Sequence, residues 1–303
     1  MISYENELLA AELPPATAAR LVAMQRRETF SLFAEIRALA WIGAMLVVTG
    51  VGVLISEHVK DLGPITIALA IAIAAAACYV WAWMRRGRES LVDDSILLLG
   101  GMLVSADAGW IESQWHLFGA RNFLILAVFH AVGAYAYKSR SLLSISISAL
   151  AAWLGIDRKV GIFYFGADTE LALRMFACAA ILAVWREVDR RVRPATTFTP
   201  VFEHTGITLA FWGALLLTFD SDTTHVGMLV MVVLAVGAAV YAFRSKTEAF
   251  LLYAAIYLTI ALDAWTWKLL QDEAPRLLVM LITAVSAVVA LFIAHRRFRS
   301  DAS

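Results

Sequence analysis

The sequence predicts an all-α polytopic membrane protein, and three observations predict it. Hydrophobic residues make up 61% of the 303, well above the roughly 45–50% of an ordinary soluble domain, and the mean hydropathy is +0.74. The apolar residues fall into runs of about the ~20 residues that a bilayer-spanning helix needs. Lys and Arg gather between alternate pairs of those runs. Charged residues are only 17% of the chain, and acids and bases balance at zero net charge. That composition excludes a soluble globular enzyme, a disordered chain and a nucleic-acid binder, and two Cys do not make a disulfide framework.

Three regions follow: a cytoplasmic helical segment over 1–37, a transmembrane body over 38–295 and a basic tail over 296–303. The first segment carries Arg20, Arg26, Arg27 and Arg37 among acids and has no early apolar core, so it is not a signal peptide. A short helix over 5–13 is expected to break at Pro14-Pro15, which then opens a second helix leading to the membrane. Residues 5–37 are the candidate docking segment for a membrane or cytoplasmic protein partner. An interfacial lead-in is the plainer reading.

Ten runs can span, near 38–55, 64–84, 95–112, 121–137, 141–156, 170–186, 204–219, 226–243, 248–267 and 276–294. The fifth is the weakest. Its Ser144, Ser146 and Ser148 alternate with Leu and Ile, which suits a helix buried among others better than one facing lipid. With the N-terminus inside, the inner segments carry 18 Lys and Arg and the outer loops six, and Arg174 lies within a span. The positive-inside rule then places both termini in the cytoplasm.

A repeat is also legible. Leu39-Ala40-Trp41-Ile42-Gly43-Ala44 in the first run parallels Leu209-Ala210-Phe211-Trp212-Gly213-Ala214 in the seventh. Asp107 precedes Arg121 by 14 residues, and Asp263 precedes Arg276 by 13. Runs one to four and seven to ten would then be a parallel duplication; an inverted five-plus-five repeat is the alternative.

Ionisable residues inside spans are costly, so each is a functional candidate. Asp107 and Asp263 fall in the outer parts of their spans, Arg174 at a similar depth, and Arg121 and Arg276 at outer ends. His130 lies nine residues beyond Arg121, about 13 Å deeper. These six form a candidate site for a small solute or cation, with His130 as relay. The competing reading pairs the two Asp with Arg121, Arg276 or Arg174 to fix helix packing. Outer loops add Glu57, His58 and Asp61, then Glu112, Gln114 and His116, then Asp220, Asp222 and His225, without metal-site spacing. No metal, cofactor or catalytic residue is assigned. Cys78 and Cys178 read as packing residues, and Gly100-Gly101 as a small strip where helices approach.

The run Gly43-Ala44-Met45-Leu46-Val47-Val48-Thr49-Gly50-Val51 resembles the start of the bacterial predicted membrane proteins called domain of unknown function 2157. So do Leu97-Leu98-Leu99-Gly100-Gly101-Met102-Leu103 and Gln114-Trp115-His116-Leu117. The resemblance covers roughly residues 5–156. This chain departs from it with Ser56-Glu57-His58, where the family ends a turn in Asn-Trp, and with Ser113, where the family places Gly. The resemblance implies a bacterial inner-membrane location with the N-terminus inside, raises interest in Gln114 and His116, and implies no activity. Three function classes remain: an accessory membrane subunit with an outward polar cluster, which is favoured; a secondary transporter or channel using Asp107 and Asp263; and, last, a membrane-embedded enzyme.

Overall fold

The computed structural model describes residues 63–85, 91–156, 169–193, 198–245, 247–270 and 272–300, with 42–43, 45–47, 49–50 and 53 of the first apolar run. Of 91–92, 294–295 and 297–300 only the backbone is described. The expected 1–37 segment and the loop residues Glu57, His58 and Asp61 lie outside them.

Nine helices have defined bounds among these residues, and each expected run from the second to the tenth falls on one. They are α1 Pro64–Met84, α2 Leu91–Trp115, α3 Arg121–Tyr137, α4 Arg140–Trp153, α5 Thr169–Val192, α6 Thr199–Phe219, α7 Thr224–Ser245, α8 Glu248–Leu269 and α9 Glu273–Ser300. The described residues of 42–53 are helical too. Pro64 and Pro200 sit in first turns, where the missing N–H costs nothing. Six helices (α1, α2, α6, α7, α8 and α9) are long and apolar enough to cross a membrane.

The other three fall short of that measure in length or in hydropathy. At ~1.5 Å per residue, the 17 residues of α3 reach about 26 Å and the 14 of α4 about 21 Å, short of a hydrocarbon core of roughly 30 Å. The 24-residue α5 carries Glu170, Arg174 and an Arg-rich last turn, which lower its hydropathy.

Helix α4 is the serine-bearing run, and it is buried as expected. Leu142, Leu143, Ser146 and Ile147 are all at most 2% exposed. Three of its hydroxyls, those of Ser144, Ser146 and Ser148, have acceptors. Ser146 Oγ donates across to the Ala127 carbonyl of α3 at 2.7 Å, while Ser144 and Ser148 donate back to Arg140 and Ser144 carbonyls. The α3–α4 turn needs two residues only. Lys138 adopts a left-handed conformation with φ 55°, and the Ser139 side chain caps α4 by accepting from Leu142 N at 3.2 Å.

The chain divides into two compact units, 1–107 and 108–303. In the first, α1 and α2 pack antiparallel through small residues. A Cβ on buried Gly100 would lie 2.8 Å from Cys78 Cβ, so only Gly permits that approach. Arg85 at the end of α1 pairs with Asp93 in the first turn of α2 at 3.7 Å.

In the second unit α6 is the central helix, packed against α5, α7 and α8. Phe211, Ala214 and Leu215 of α6 meet Met231, Ala235 and Ala238 of α7 and Ala254 and Ala261 of α8. Alanines at the contact bring backbones close, and dispersion replaces the hydrophobic drive that lipid removes. Phe211 stacks on Tyr257 with ring centroids 5.1 Å apart. On its other side α6 meets Leu171, Ala172, Met175 and Cys178 of α5. By contrast, none of the apolar window of α9 is buried, and Leu277, Leu281, Val285 and Val288 are exposed. Such apolar surface suits lipid rather than water.

Sequential antiparallel helices give this unit two ends. The last turns of α3, α5 and α7 and the first turns of α6 and α8 share one, marked by Lys138, Arg140, Arg186, Arg190, Arg191, Arg193 and Arg244. The opposite end holds Glu112, Glu170, Asp220, Asp222, Asp263, Lys268 and Arg276.

Candidate functional site

Asp107 is the last residue of the first unit, and the remaining candidates belong to the second. It sits in the C-terminal half of α2, and its buried Oδ1 has no hydrogen-bond partner among the described residues.

The opposite end accounts for most of the others. Arg174 reaches Glu170, one turn before it on α5, at 2.5 Å, and donates from Nη1 to the Leu154 carbonyl at the end of α4 at 2.9 Å. Arg276 donates from Nε to the Leu270 carbonyl at 2.7 Å and lies over the Trp267 ring at 4.7 Å. Asp263 Oδ1 accepts from Thr283 Oγ1 of α9 at 2.6 Å. For Asp263, Arg174 and Arg276 the expected Asp–Arg pairing gives way to local partners, whereas Asp107 Oδ1 has none among the described residues. Carboxylate and guanidinium are each satisfied by the nearest helix end or hydroxyl, which spares a long-range ion pair the cost of desolvation. Arg121 begins α3, exposed. His130 is fully buried in the middle of α3, with Phe129 edge-on at 5.4 Å.

Of the polar loop residues, Glu112 is committed to structure. Its two carboxylate oxygens accept the Phe118 and Gly119 amides, both at 2.9 Å, and so close the α2–α3 turn. His116 takes a left-handed φ of 50° in that turn. Among the described residues, Gln114 donates to neighbouring Ser113, at 3.3 Å. Asn122 ties α3 back to the Ala108 carbonyl at 3.1 Å. Among the described residues, no group of three or more His, Cys, Asp or Glu is arranged to hold a metal.

Two clusters were not legible beforehand. At the opposite end, Lys268 Nζ of α8 donates to the carbonyls of Thr218, Phe219 and Asp220 at 3.0, 2.9 and 3.0 Å and to Thr224 Oγ1 at 2.7 Å. Those carbonyls are the acceptors a helix C-terminus leaves without partners, and the ammonium also meets the negative end of the α6 dipole. Three N–H groups serve four acceptors, so at least one is shared. Beside it, Asp220 accepts from Thr169 Oγ1 of α5 at 2.9 Å and from Thr223 Oγ1 at 3.1 Å. The Thr169 hydroxyl, then the Asp222 amide, hold its carboxyl below the ordinary value of 3.8. Lys268→Met removes the cap but keeps the stem. It should lower unfolding free energy by about 2 kcal/mol, measured by tryptophan fluorescence in mild detergent.

At the basic end, Arg186 of α5 forms an ion pair with Glu203 in the first turns of α6. Tyr241 of α7 donates to Glu203 Oε1 at 2.5 Å, and Arg186 Nη2 donates to the Tyr241 hydroxyl at 3.2 Å. Next to this triad His204 stacks on Phe250 of α8 at 5.2 Å, with Tyr253 edge-on at 5.8 Å. One layer away, Trp185 Nε1 donates to the Tyr135 hydroxyl at 3.0 Å, and Arg193 lies over the Tyr135 ring at 4.6 Å. The available signal was the pairing of Arg186, ending one span, with Glu203, opening the next.

Further along α5, Glu187 accepts from Arg190 at 2.9 Å and from Arg191 at 2.8 Å. Those hydrogen bonds, that from Arg190 first, bring its carboxyl down from 4.5 to about 2. A depressed folded-state pKa contributes stability above the unfolded value and loses it as pH falls through the folded one. The melting temperatures of wild type and Glu187→Gln should therefore differ slightly at pH 6 and converge between pH 4.5 and about 2.

Six apolar helices of bilayer length and apolar helix faces left exposed define a polytopic helical membrane protein. Consistent with this, residues 5–144 match the family model described as "Predicted membrane protein (DUF2157)", within the stretch over which the sequence resembles that family. No curated protein and no solved structure matches the chain.

Proposed function

We propose that the protein is an accessory subunit of the bacterial inner membrane, with ten spans, both termini in the cytoplasm, and residues 5–37 offered to a protein partner. One observation carries this reading. In the second unit the costly ionisable residues are spent on holding helices. Lys268 closes α6, Arg174 ties α5 to α4, Asp263 ties α8 to α9, and Arg186 with Glu203 joins α5 to α6. A transport pathway would spend them on a solute instead. The clustering of Arg and Lys at one end supports a cytoplasmic placement of that end.

The test is purification from native membranes beside a chain lacking residues 5–37. A stoichiometric partner that is lost with the deletion supports the reading. Fluorescent-protein fusions at the C-terminus and alkaline phosphatase fusions after Asp222 check the orientation. They should report cytoplasm and outside respectively.

A transporter or channel is the second reading, favoured by the buried oxygen of Asp107 that lacks a hydrogen bond among the described residues. A solute library screened by thermal shift separates the two. A solute at ~100 times its dissociation constant stabilises the fold by roughly 2.7 kcal/mol. Loss of that shift in Asp107→Asn or Asp263→Asn, with stability retained, would overturn the accessory role.

A further inference from the structure

The carbonyls that close α6 are divided between two kinds of partner. Those of Ala214, Leu216 and Leu217 accept from Thr218 Oγ1, the Asp220 amide and Thr223 Oγ1, all on the same helix end and the turn that follows it. Those of Thr218, Phe219 and Asp220 converge on one atom, Lys268 Nζ of α8, at 3.0, 2.9 and 3.0 Å. Thr224 Oγ1, at the start of α7, makes the fourth contact at 2.7 Å. The Thr224 hydroxyl donates its own proton to the Asp220 carbonyl, so a lone pair is what it offers to the ammonium. Gly227 lets α7 begin hard against this turn, where a Cβ would lie 2.5 Å from the Leu217 carbonyl carbon. Three of the four oxygens are backbone atoms, positioned by the helix end and not by the lysine.

That cradle has the features of a site for a monovalent cation. Four oxygens around one point are more than an ammonium on a side chain can serve with a separate N–H each, whereas a spherical ion has no such limit. Distances of 2.7–3.0 Å exceed the about 2.3–2.6 Å of Ca²⁺ and the about 2.0–2.1 Å of Mg²⁺, so the fit is to ammonium or a large monovalent ion. The field has the matching sign. The negative end of the α6 dipole points at the cradle, and the Asp220 carboxylate lies near enough to feel the Lys268 charge. Carbonyls at a helix C-terminus are also the groups with which membrane proteins coordinate monovalent cations.

We propose that the α6–α7 turn is a monovalent-cation site that the protein fills with its own Lys268 ammonium. In the wild type the seated ammonium shuts free cations out. With the side chain cut back, potassium or ammonium takes the place of Nζ and closes α6 as Lys268 does. This bears on the cation-transport reading, since no free ion can dwell in the cradle while Lys268 is seated. It does not depend on the accessory role: a protein without a partner would fill the turn in the same way, so the two readings fail separately.

The experiment purifies full-length Lys268→Ala in ammonium chloride throughout, so that a variant dependent on the ion still reaches the assay. It is then exchanged into ammonium, potassium or tetramethylammonium chloride at one ionic strength, and melting is followed by tryptophan fluorescence in mild detergent. At ~10 times its dissociation constant, ammonium or potassium should raise the melting temperature by about 3–5 °C over tetramethylammonium, which is too large for the cradle. Wild type should melt alike in the three salts, because its site is taken. Lys268→Met should also melt alike in all three, since its terminal methyl group reaches the edge of the ion's place. Thr224→Val added to Lys268→Ala removes one oxygen and should lose most of the rise. Equal melting of Lys268→Ala in the three salts overturns the proposal, as does failure of that variant to fold even in ammonium. A rise of the same size in wild type or Lys268→Met, or one that survives Thr224→Val, overturns it too, because the ion would then act elsewhere.

Discussion

Glu203→Ala should lower the unfolding free energy by about 3 kcal/mol, the order expected when one partner of a largely buried ion pair is removed. Arg186 is left with its charge uncompensated, since Glu203 is the acid it meets, and the Tyr241 hydroxyl loses its acceptor. Both side chains are mostly screened from solvent, at 30% and 15% exposure for Arg186 and Glu203, so water replaces the lost contacts poorly. Glu203→Gln keeps an acceptor for Tyr241 and should cost about half as much. The double variant Arg186→Met with Glu203→Leu should recover most of the loss, because an apolar pair needs no desolvation to be compensated. Unfolding in mild detergent, followed by tryptophan fluorescence, measures all three. Equal stability of wild type and Glu203→Ala would mean that the pair is solvated and contributes nothing.

Gly227→Ala should cost about 2–3 kcal/mol, the upper part of the range for overpacking. A Cβ there would lie 2.5 Å from the Leu217 carbonyl carbon and 2.8 Å from Thr218 Oγ1, and closer still to the Thr218 amide nitrogen. Those atoms belong to the last turn of α6, whose hydroxyl is itself tied to the Ala214 carbonyl at 2.9 Å. Backbone cannot rotate aside as a flexible side chain can, so α6 and α7 must separate at that end. That motion would also pull the Lys268 cap away from its carbonyls. The same measurement on Gly237→Ala serves as control, because a Cβ on Gly237 meets nothing within 4 Å. There the variant should be neutral or slightly stabilising, since Ala favours the helix over Gly.

The two variants illustrate what could be read beforehand. The helices themselves were legible, because apolar run length and basic turns set where each begins and ends. The fifth run shows the limit of pattern in a good light. Its alternating serines predicted burial, and Ser146 does bond across to α3. The polar partners were not legible. Asp263 stood 13 residues from Arg276 in sequence, and charge alone suggested that pair, whereas the structure gives Asp263 to Thr283 and Arg276 to the Leu270 carbonyl. A hydroxyl inside an apolar run carries no signal of its own, and neither does a backbone carbonyl. Lys268, one of the six Lys and Arg of the outer loops, is hidden for the same reason. Glu203 and His204, at the edge of the seventh run, belong to no motif that marks them.

Residue order specifies the class of object: an apolar helical chain with bilayer-length runs, bases at alternate turns, and one short serine-bearing helix. Those properties are local, since hydropathy, run length and turn charge act through each segment's own exchange between water and lipid. The tertiary structure alone decided which ionisable groups meet. Arg186, Glu203 and Tyr241 come together over separations of 17 and 38 residues, and Lys268 reaches α6 over about 50. Contacts at that range depend on which face each helix turns to its neighbours. In lipid, that choice is set by side-chain packing and by the demand that every buried polar atom find a partner, and no single segment carries either.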